Sequence, residues 1–161
     1  IVDDKKRIGD WEIDTAKGGE RVTGLTVSNE RYSGYTRATK CANLTCETVE
    51  TAVKRQFSSL PRNKRHTVSH DNGPEFRRQS ELERANNATA YACTPYHSWE
   101  RGTNENTIGL LREYFPKKMP LATITDADVQ KAVSALNHRP RKRHNYVTPH
   151  EVFWDQLPVA L

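Results

Sequence analysis

The order of strand-like and helix-like segments is the strongest constraint on what this chain can fold into. Three β-prone segments come first, over residues 11–16, 21–28 and 31–39, with Gly18-Gly19 and Asn29-Glu30 as the turns between them. Such short connections predict an antiparallel meander. A helix, a strand, a second helix and a fifth strand follow, which predicts a parallel crossover. The sequence therefore predicts an α/β fold whose five-stranded mixed sheet has three antiparallel strands, then two parallel strands, with flanking helices.

Capping residues and apolar periodicity mark the predicted helices. Thr45 caps a helix that ends at Pro61, and Thr125 and Thr148 each open a capping box. Two more helices are predicted, and in the second of them apolar residues recur at helical spacing. These helices cover residues 77–87 and 104–115, with strands over 67–71 and 88–94 and a loop over 95–103.

Composition and charge restrict the class of protein. The 161 residues suit one domain, 1–161, with a basic leader over 1–8 and a basic C-terminal segment over 139–161 that carries a short helix. Charged residues make up 28%, and no run approaches the roughly 18 apolar residues of a membrane span. The formal net charge of +5 favours a polyanionic partner, although any one basic cluster also suits a solvated surface.

The first residue and the cysteines bear on cellular context. The chain opens on Ile1 and its one methionine is Met119, so we expect a processed domain whose upstream part is missing. Cys41, Cys46 and Cys93 form no CxxC pair. They predict reduced thiols in a cytosolic protein rather than disulfides or a zinc site.

Three carboxylates punctuate the predicted elements. Asp71 ends the fourth strand, where Asn-Gly-Pro turns the chain away, Asp14 lies on the first strand, and Glu105 lies in the first turn of the helix after the loop. Converging carboxylates repel one another unless a cation neutralises them, and Mg²⁺ and Mn²⁺ prefer oxygen ligands. Two such ions about 4 Å apart can promote phosphodiester displacement. The sequence therefore predicts a metal site held by these three carboxylates.

Each of these carboxylates also suits an ordinary structural role. Asp-Asn-Gly is common turn chemistry, and an acid at Glu105 stabilises a helix N-terminus. The alternation along 11–16 puts Glu12 on the same strand face as Asp14, which makes Glu12 a rival ligand. Asp14 is preferred because it lies deeper along the strand. Glu75 is expected to shape the turn after Asp71 or to support the site from outside.

Six segments carry motifs in a recognisable order. They are Gly-Asp-Trp-Glu-Ile-Asp at 9–14, His-Asp-Asn-Gly-Pro-Glu-Phe at 70–76, the stretch 95–106 that ends in Asn-Glu-Asn, Gly-Leu-Leu-Arg-Glu-Tyr-Phe-Pro at 109–116, and the segments 136–142 and 148–153. Together they resemble the catalytic core of IS30-family transposases over nearly the whole chain. Thirty-three residues separate Asp71 from Glu105, a spacing typical of that family's acidic triad.

The resemblance implies a ribonuclease-H-like fold, and DNA cleavage and strand transfer by Asp14, Asp71 and Glu105 with two Mg²⁺ ions that Mn²⁺ can replace. It implies DNA partners, both insertion-sequence ends and a target, and at least a homodimer that holds two ends together. It also implies action in the bacterial cytoplasm, at the nucleoid. Family members carry an upstream helix-turn-helix region that is not predicted in this chain, and Ile13 stands where the family commonly has Gly.

Five basic residues are predicted to contact DNA. They are Arg101, Arg112, Arg139, Arg141 and Lys142. Arg112 shares a helical face with Glu105 and with Gly109, whose missing side chain would let a phosphate approach. All five also suit a solvated surface, and basic residues near a helix C-terminus satisfy its dipole.

Two competing functions stay open at this point. A related ribonuclease-H-like nuclease would cut DNA without joining it, whereas a non-catalytic module would keep the fold only to bind DNA or to multimerise. Loss of metal-dependent cleavage in Asp71→Asn separates the two enzymes from the module. Joined products separate the transposase from the nuclease.

Overall fold

The sheet has the mixed topology that the sequence predicts. The computed structural model describes residues 7–93 and 102–154. The strands within them are β1 (Asp10–Lys17), β2 (Gly24–Glu30), β3 (Thr36–Cys41), β4 (Thr67–His70) and β5 (Thr89–Ala92). Their order is β3-β2-β1-β4-β5, with β1, β2 and β3 antiparallel and β4 and β5 parallel to β1. The middle strand is therefore β1, and it pairs with β4, which follows β3 and the first helix in the chain.

The turn between β2 and β3 lies later than predicted. A turn at Asn29-Glu30 is wrong, because β2 continues through Glu30 and β3 begins at Thr36. The Glu30 carboxylate accepts hydrogen bonds from the Ser33 backbone N–H at 2.7 Å and from the Ser33 hydroxyl, and Gly34 follows with a φ of +78°. Burial raises the pKa of Glu30, and these hydrogen bonds oppose the shift. The Glu30 side chain therefore closes the turn from the end of the strand.

Three of the five α-helices in the described ranges begin at a side-chain cap that the sequence predicts. They are α1 (Cys46–Ser58), α2 (Gln79–Asn86), α3 (Gly102–Leu111), α4 (Asp126–Asn137) and α5 (Pro149–Phe153). The side chains of Thr45, Thr125 and Thr148 accept backbone N–H groups at the starts of α1, α4 and α5, and the last two form capping boxes. The predicted caps are thus confirmed. None of these helices is long and apolar enough to cross a membrane.

The two faces of β1 lead to two separate cores. Trp11 and Ile13 are fully buried on one face, where α1 and α2 supply their partners. Ala16 lies on the other face and packs with residues of α3 and α4. The predicted alternation is confirmed, and it puts Glu12 and Asp14 on the face that α3 and α4 cover.

Asp10 makes the start of β1 sensitive to acid. Its buried carboxylate pairs with Arg7 Nε at 2.9 Å and accepts the Thr67 hydroxyl at 2.7 Å. Burial by itself would raise the pKa of Asp10, but these hydrogen bonds outweigh it and lower the pKa below the usual value. A carboxyl with a lowered folded-state pKa stabilises the fold above its unfolded pKa of about 3.9. That stability is lost as the pH falls through the folded-state value.

We expect Asp10→Asn to lower the free energy of unfolding at pH 7. The difference from the unmodified protein should shrink as the pH falls below about 4, because both proteins then carry a neutral group at this position. Urea unfolding curves between pH 7 and pH 3 measure this difference. Asp126→Asn, at an exposed aspartate in the first turn of α4, is the matched control, and equal pH profiles for the two variants would contradict the role of Asp10.

Candidate active site

Asp14 and Asp71 are brought together by the parallel pairing of the two central strands. The register pairs Asp10 with Thr67 and Glu12 with Ser69. Continued for two residues, the same register puts Asp14 beside Asp71, just past the end of β4. The Asp10 and Thr67 side chains touch each other, so alternation puts Asp14 and Asp71 on that same face. We therefore infer that two of the three predicted carboxylates are neighbours, although 56 residues lie between them in the sequence.

The turn after Asp71 orients its carboxylate. The Gly73 N–H donates to Asp71 Oδ1 at 2.8 Å, and the Asn72 amide donates to the Cys93 carbonyl at 3.0 Å, next to the end of β5. A β-carbon at Gly73 would meet Asp71 Oδ1 at 2.8 Å and Glu75 Oε2 at 2.6 Å. A side chain at position 73 would therefore displace one or both of these carboxylates.

Glu75 belongs to the same site. Its Oε1 accepts the Thr15 hydroxyl at 2.9 Å, and Thr15 also donates its backbone N–H to Asp14 Oδ1 at 2.8 Å. Thr15 of β1 thus contacts both the Asp14 carboxylate and the carboxylate of Glu75, which follows β4 in the chain. The sequence favoured Glu75 as a supporting group but gave no sign of Thr15, because this contact joins residues far apart in the chain.

Glu105 lies on α3 but is not gathered with the other two. The buried face of α3 consists of Thr103, Asn104, Thr107 and Leu111, whereas Glu105 is exposed and Ile108 is only partly buried. In residues 7–93 and 102–154, no three His, Cys, Asp or Glu side chains lie close enough to hold a metal ion. The role of Glu105 as a metal ligand therefore stays a prediction.

Glu12, the rival ligand, is instead engaged in a buried anchor. Its side chain has no exposed surface, and Oε1 pairs with Arg31 Nε at 3.0 Å. Oε2 accepts the backbone N–H of Asn104 at 2.8 Å. Both anchoring groups were missed because the sequence gives no indication that Arg31, beyond β2, and the start of α3 meet on β1. Glu12 thereby fixes the residue that precedes Glu105.

Asn104 is a further site residue that the sequence did not reveal. It is fully buried beside Glu12, and its side-chain Oδ1 and Nδ2 have no hydrogen-bond partner within the described ranges. A buried amide left in this state costs roughly 1–3 kcal/mol for each unmade bond. A buried polar group without a hydrogen-bond partner often has a functional role. Asn104 directly precedes Glu105, so this role would concern the predicted active site.

The predicted DNA-contact residues differ in their surroundings. Arg112 donates to the Lys17 carbonyl at 3.0 Å, and burial lowers its pKa, so it ties α3 to the end of β1. Arg139 pairs with Glu113 at 3.1 Å on the surface. Arg141 and Lys142 line a cavity beside α3. Arg101 lies outside the described residues, and all five DNA contacts stay predictions.

Two transposases show the extent of sequence similarity. The chain is 37% identical over 95% of its length to the transposase for insertion sequence element IS4351 of Bacteroides fragilis. It is 36% identical over 94% of its length to transposase InsI for insertion sequence element IS30A of Escherichia coli (strain K12). It spans 47% and 39% of those two proteins. The resemblance to IS30-family transposases is confirmed, whereas a comparison with protein-family profiles gave no match.

Solved structures identify the fold. The catalytic core domain of BIV integrase superposes with a TM-score of 0.69 at 21% identity, over 91% of this chain and 93% of that one. The HTLV-2 integrase catalytic core domain in complex with magnesium (trimeric form) gives a TM-score of 0.68 at 19% identity, over 89% and 94%. The ribonuclease-H-like fold predicted from the sequence is therefore confirmed.

Proposed function

We propose that this chain is the catalytic domain of an IS30-family transposase, a polynucleotidyl transferase that cleaves DNA at insertion-sequence ends and joins those ends to a target. The observation that supports this most is the parallel register of β1 with β4 in an integrase-like sheet, which, when continued for two residues, puts Asp14 beside Asp71. Similarity to two such transposases over at least 94% of the chain supports the same reaction.

Asp14 and Asp71 would hold a divalent cation, and Glu105 would be the third ligand of the site. Carboxylate oxygens are the donors that Mg²⁺ prefers, and Mn²⁺ would replace it. A pair of such ions, when bound, supplies an activated water and stabilises the leaving oxygen of phosphodiester displacement. Among the structural neighbours, the HTLV-2 integrase core was solved in complex with magnesium.

The protein's own groups would orient these ligands. The Gly73 N–H fixes one oxygen of Asp71, and the Thr15 N–H fixes one oxygen of Asp14. Hydrolysis would expose a 3′-hydroxyl, which would then attack a second phosphodiester in line. No serine or tyrosine nucleophile is required, so DNA would not become covalently attached to the protein.

We further propose that the protein works as a homodimer or a larger homo-oligomer. Joining both ends of an insertion sequence to one target requires two DNA ends to be held at once. The partners would be element-end DNA and target DNA, and the reaction would take place in the bacterial cytoplasm at the nucleoid.

A strand-transfer assay tests the proposed function. A labelled oligonucleotide with a free 3′-hydroxyl and a supercoiled plasmid are incubated with the protein, and we expect label joined to the plasmid with Mg²⁺ or Mn²⁺ but not with EDTA. Nicked plasmid without joined label would favour the nuclease instead. DNA binding without either product would favour the non-catalytic module.

A further inference from the structure

A basic cavity lies beside the N-terminal half of α3, away from the paired aspartates. Its volume is about 300 Å³, and it lies between α3, the turn from β2 to β3, and the segment after α4. Three consecutive cations, Arg141, Lys142 and Arg143, form one wall. The polar side chains of Thr103, Asn106 and Thr107 form the opposite wall, on α3.

The charges of this cavity are left largely uncompensated. No acidic residue lines it within the described part of the chain. Burial lowers the pKa of Arg141, and repulsion from Arg139 and Arg143 lowers it further, against a smaller opposing effect from Glu113. Burial also lowers the pKa of Arg143, although the Glu30 carboxylate opposes this shift. Cations that repel one another in a partly buried position favour a bound anion.

The donors of the cavity are available to a ligand. One guanidinium nitrogen of Arg141 donates a hydrogen bond to the Leu136 carbonyl, near the end of α4, at 3.3 Å. Within residues 7–93 and 102–154, the side chains of Lys142 and Arg143 make no hydrogen bond or ion pair. Gly34 makes room for this arrangement, because a β-carbon there would lie 2.7 Å from Arg143 Nη2.

An open ridge of α3 connects this cavity with the predicted active site. Successive helical residues are about 100° apart, so Gly109 and Gly102 lie within about 60° of Glu105 around the axis, and Asn106 lies about 100° away. A β-carbon at either glycine would meet no atom of the described residues within 4 Å. At these two glycines, the described residues therefore leave room for a strand of polyanion to cross α3 between Glu105 and the cavity.

We infer that this cavity binds a backbone phosphate of the DNA strand that crosses α3 from the active site. Arg141, Lys142 and Arg143 bind the phosphate oxygens, and the Asn106 amide donates from α3. The identity of the polyanion as DNA rests on the proposed function. The cavity contacts only the backbone, so its contribution to binding is independent of base sequence.

The test uses two double variants that each remove two positive charges. Lys142→Gln/Arg143→Gln removes two cations from the cavity and leaves the Arg141 hydrogen bond to the Leu136 carbonyl of α4, whereas Lys117→Gln/Lys118→Gln removes two consecutive exposed cations elsewhere. DNA affinity is measured by fluorescence anisotropy at several salt concentrations, in EDTA so that cleavage does not interfere. Thermal unfolding midpoints confirm that both variants fold.

We expect Lys142→Gln/Arg143→Gln to weaken binding and to reduce the slope of log affinity against log salt by about one, as follows from the loss of one neutralised phosphate. The Lys117→Gln/Lys118→Gln slope should stay near that of the unmodified protein. Asn106→Asp, which adds a carboxylate to the cavity at constant size, should also weaken binding. Equal slopes for the two double variants, or unchanged affinity in Asn106→Asp, would overturn the inference.

Failure of this inference can be told apart from failure of the proposed function. Binding in EDTA reports on the cavity, whereas joined products with Mg²⁺ report on transposition. A protein that binds DNA through the cavity but joins no strands would refute only the proposed function. Strand transfer together with an unchanged salt slope in Lys142→Gln/Arg143→Gln would refute only the cavity assignment.

Discussion

Replacing Asp71 with Asn is expected to lower metal-dependent DNA cleavage and joining by about a thousandfold, while the fold stays intact. The amide keeps an oxygen that can accept the Gly73 N–H, so the turn is retained, but the negative charge that would hold a cation is lost. Loss of a group that stabilises charge in the transition state commonly costs about 100- to 1,000-fold, and a metal ligand belongs at the upper end. Initial rates on plasmid DNA, with Mg²⁺ and with Mn²⁺, measure the effect.

A binding measurement separates loss of metal from loss of structure. In thermal unfolding, Mn²⁺ should raise the midpoint of the unmodified protein, because a ligand that binds only the folded state stabilises it. Asp71→Asn should lose most of this rise and keep the metal-free midpoint. Glu75→Gln is the graded comparison, since a group that supports the ligands typically costs about 10- to 100-fold. Unchanged cleavage in Asp71→Asn would remove Asp71 from the active site.

Replacing Glu12 with Ala is expected to be among the most destabilising single changes in the chain. The substitution leaves the Arg31 guanidinium buried without its carboxylate and removes the acceptor of the Asn104 N–H. Removal of one partner from a buried ion pair typically costs about 3–5 kcal/mol. Urea unfolding curves at pH 7 measure the loss in the free energy of unfolding.

Two matched variants show that the position of Glu12, rather than its charge alone, is responsible. Glu12→Gln keeps an oxygen for the Asn104 N–H and should recover part of the stability. Glu113→Ala breaks the exposed pair with Arg139, so it should cost less than about 1 kcal/mol. If Glu12→Ala were no more destabilising than Glu113→Ala, the buried pair would not anchor α3.

Local sequence signals predicted those parts of the fold that depend on neighbours along the chain. The alternation over 11–16 identified which residues of β1 face each core, because a strand has a fixed period of two. Thr125 and Thr148 marked helix starts, since the cap and its partner are three residues apart. The order of strands and helices was sufficient for the mixed sheet.

Features that depend on contacts between residues far apart in sequence could not be predicted from the sequence. The turn after β2 was misplaced because Asn-Glu suits a turn by composition, whereas the Glu30 carboxylate in fact closes a later one. The sequence alone leaves Glu12 as a rival ligand, because its buried ion pair with Arg31 joins distant residues. Charged residues are rarely buried without such a partner. The link from Thr15 to Glu75 crosses 60 positions, which no local pattern encodes.

The parallel pairing of β1 with β4 also determines when, during folding, Asp14 and Asp71 can come close together. Short connections join β1, β2 and β3 into the meander. The strand β4 follows α1 in the chain, so its pairing with β1 joins residues that are far apart in sequence. Pairings between residues far apart in sequence form slowly, since loop-closure entropy opposes them. A nascent chain that ends before β4 therefore lacks one of the two aspartates, and Glu105 is added only later still, so nucleic acids near the ribosome cannot meet all three predicted ligands before residue 105 has been synthesised.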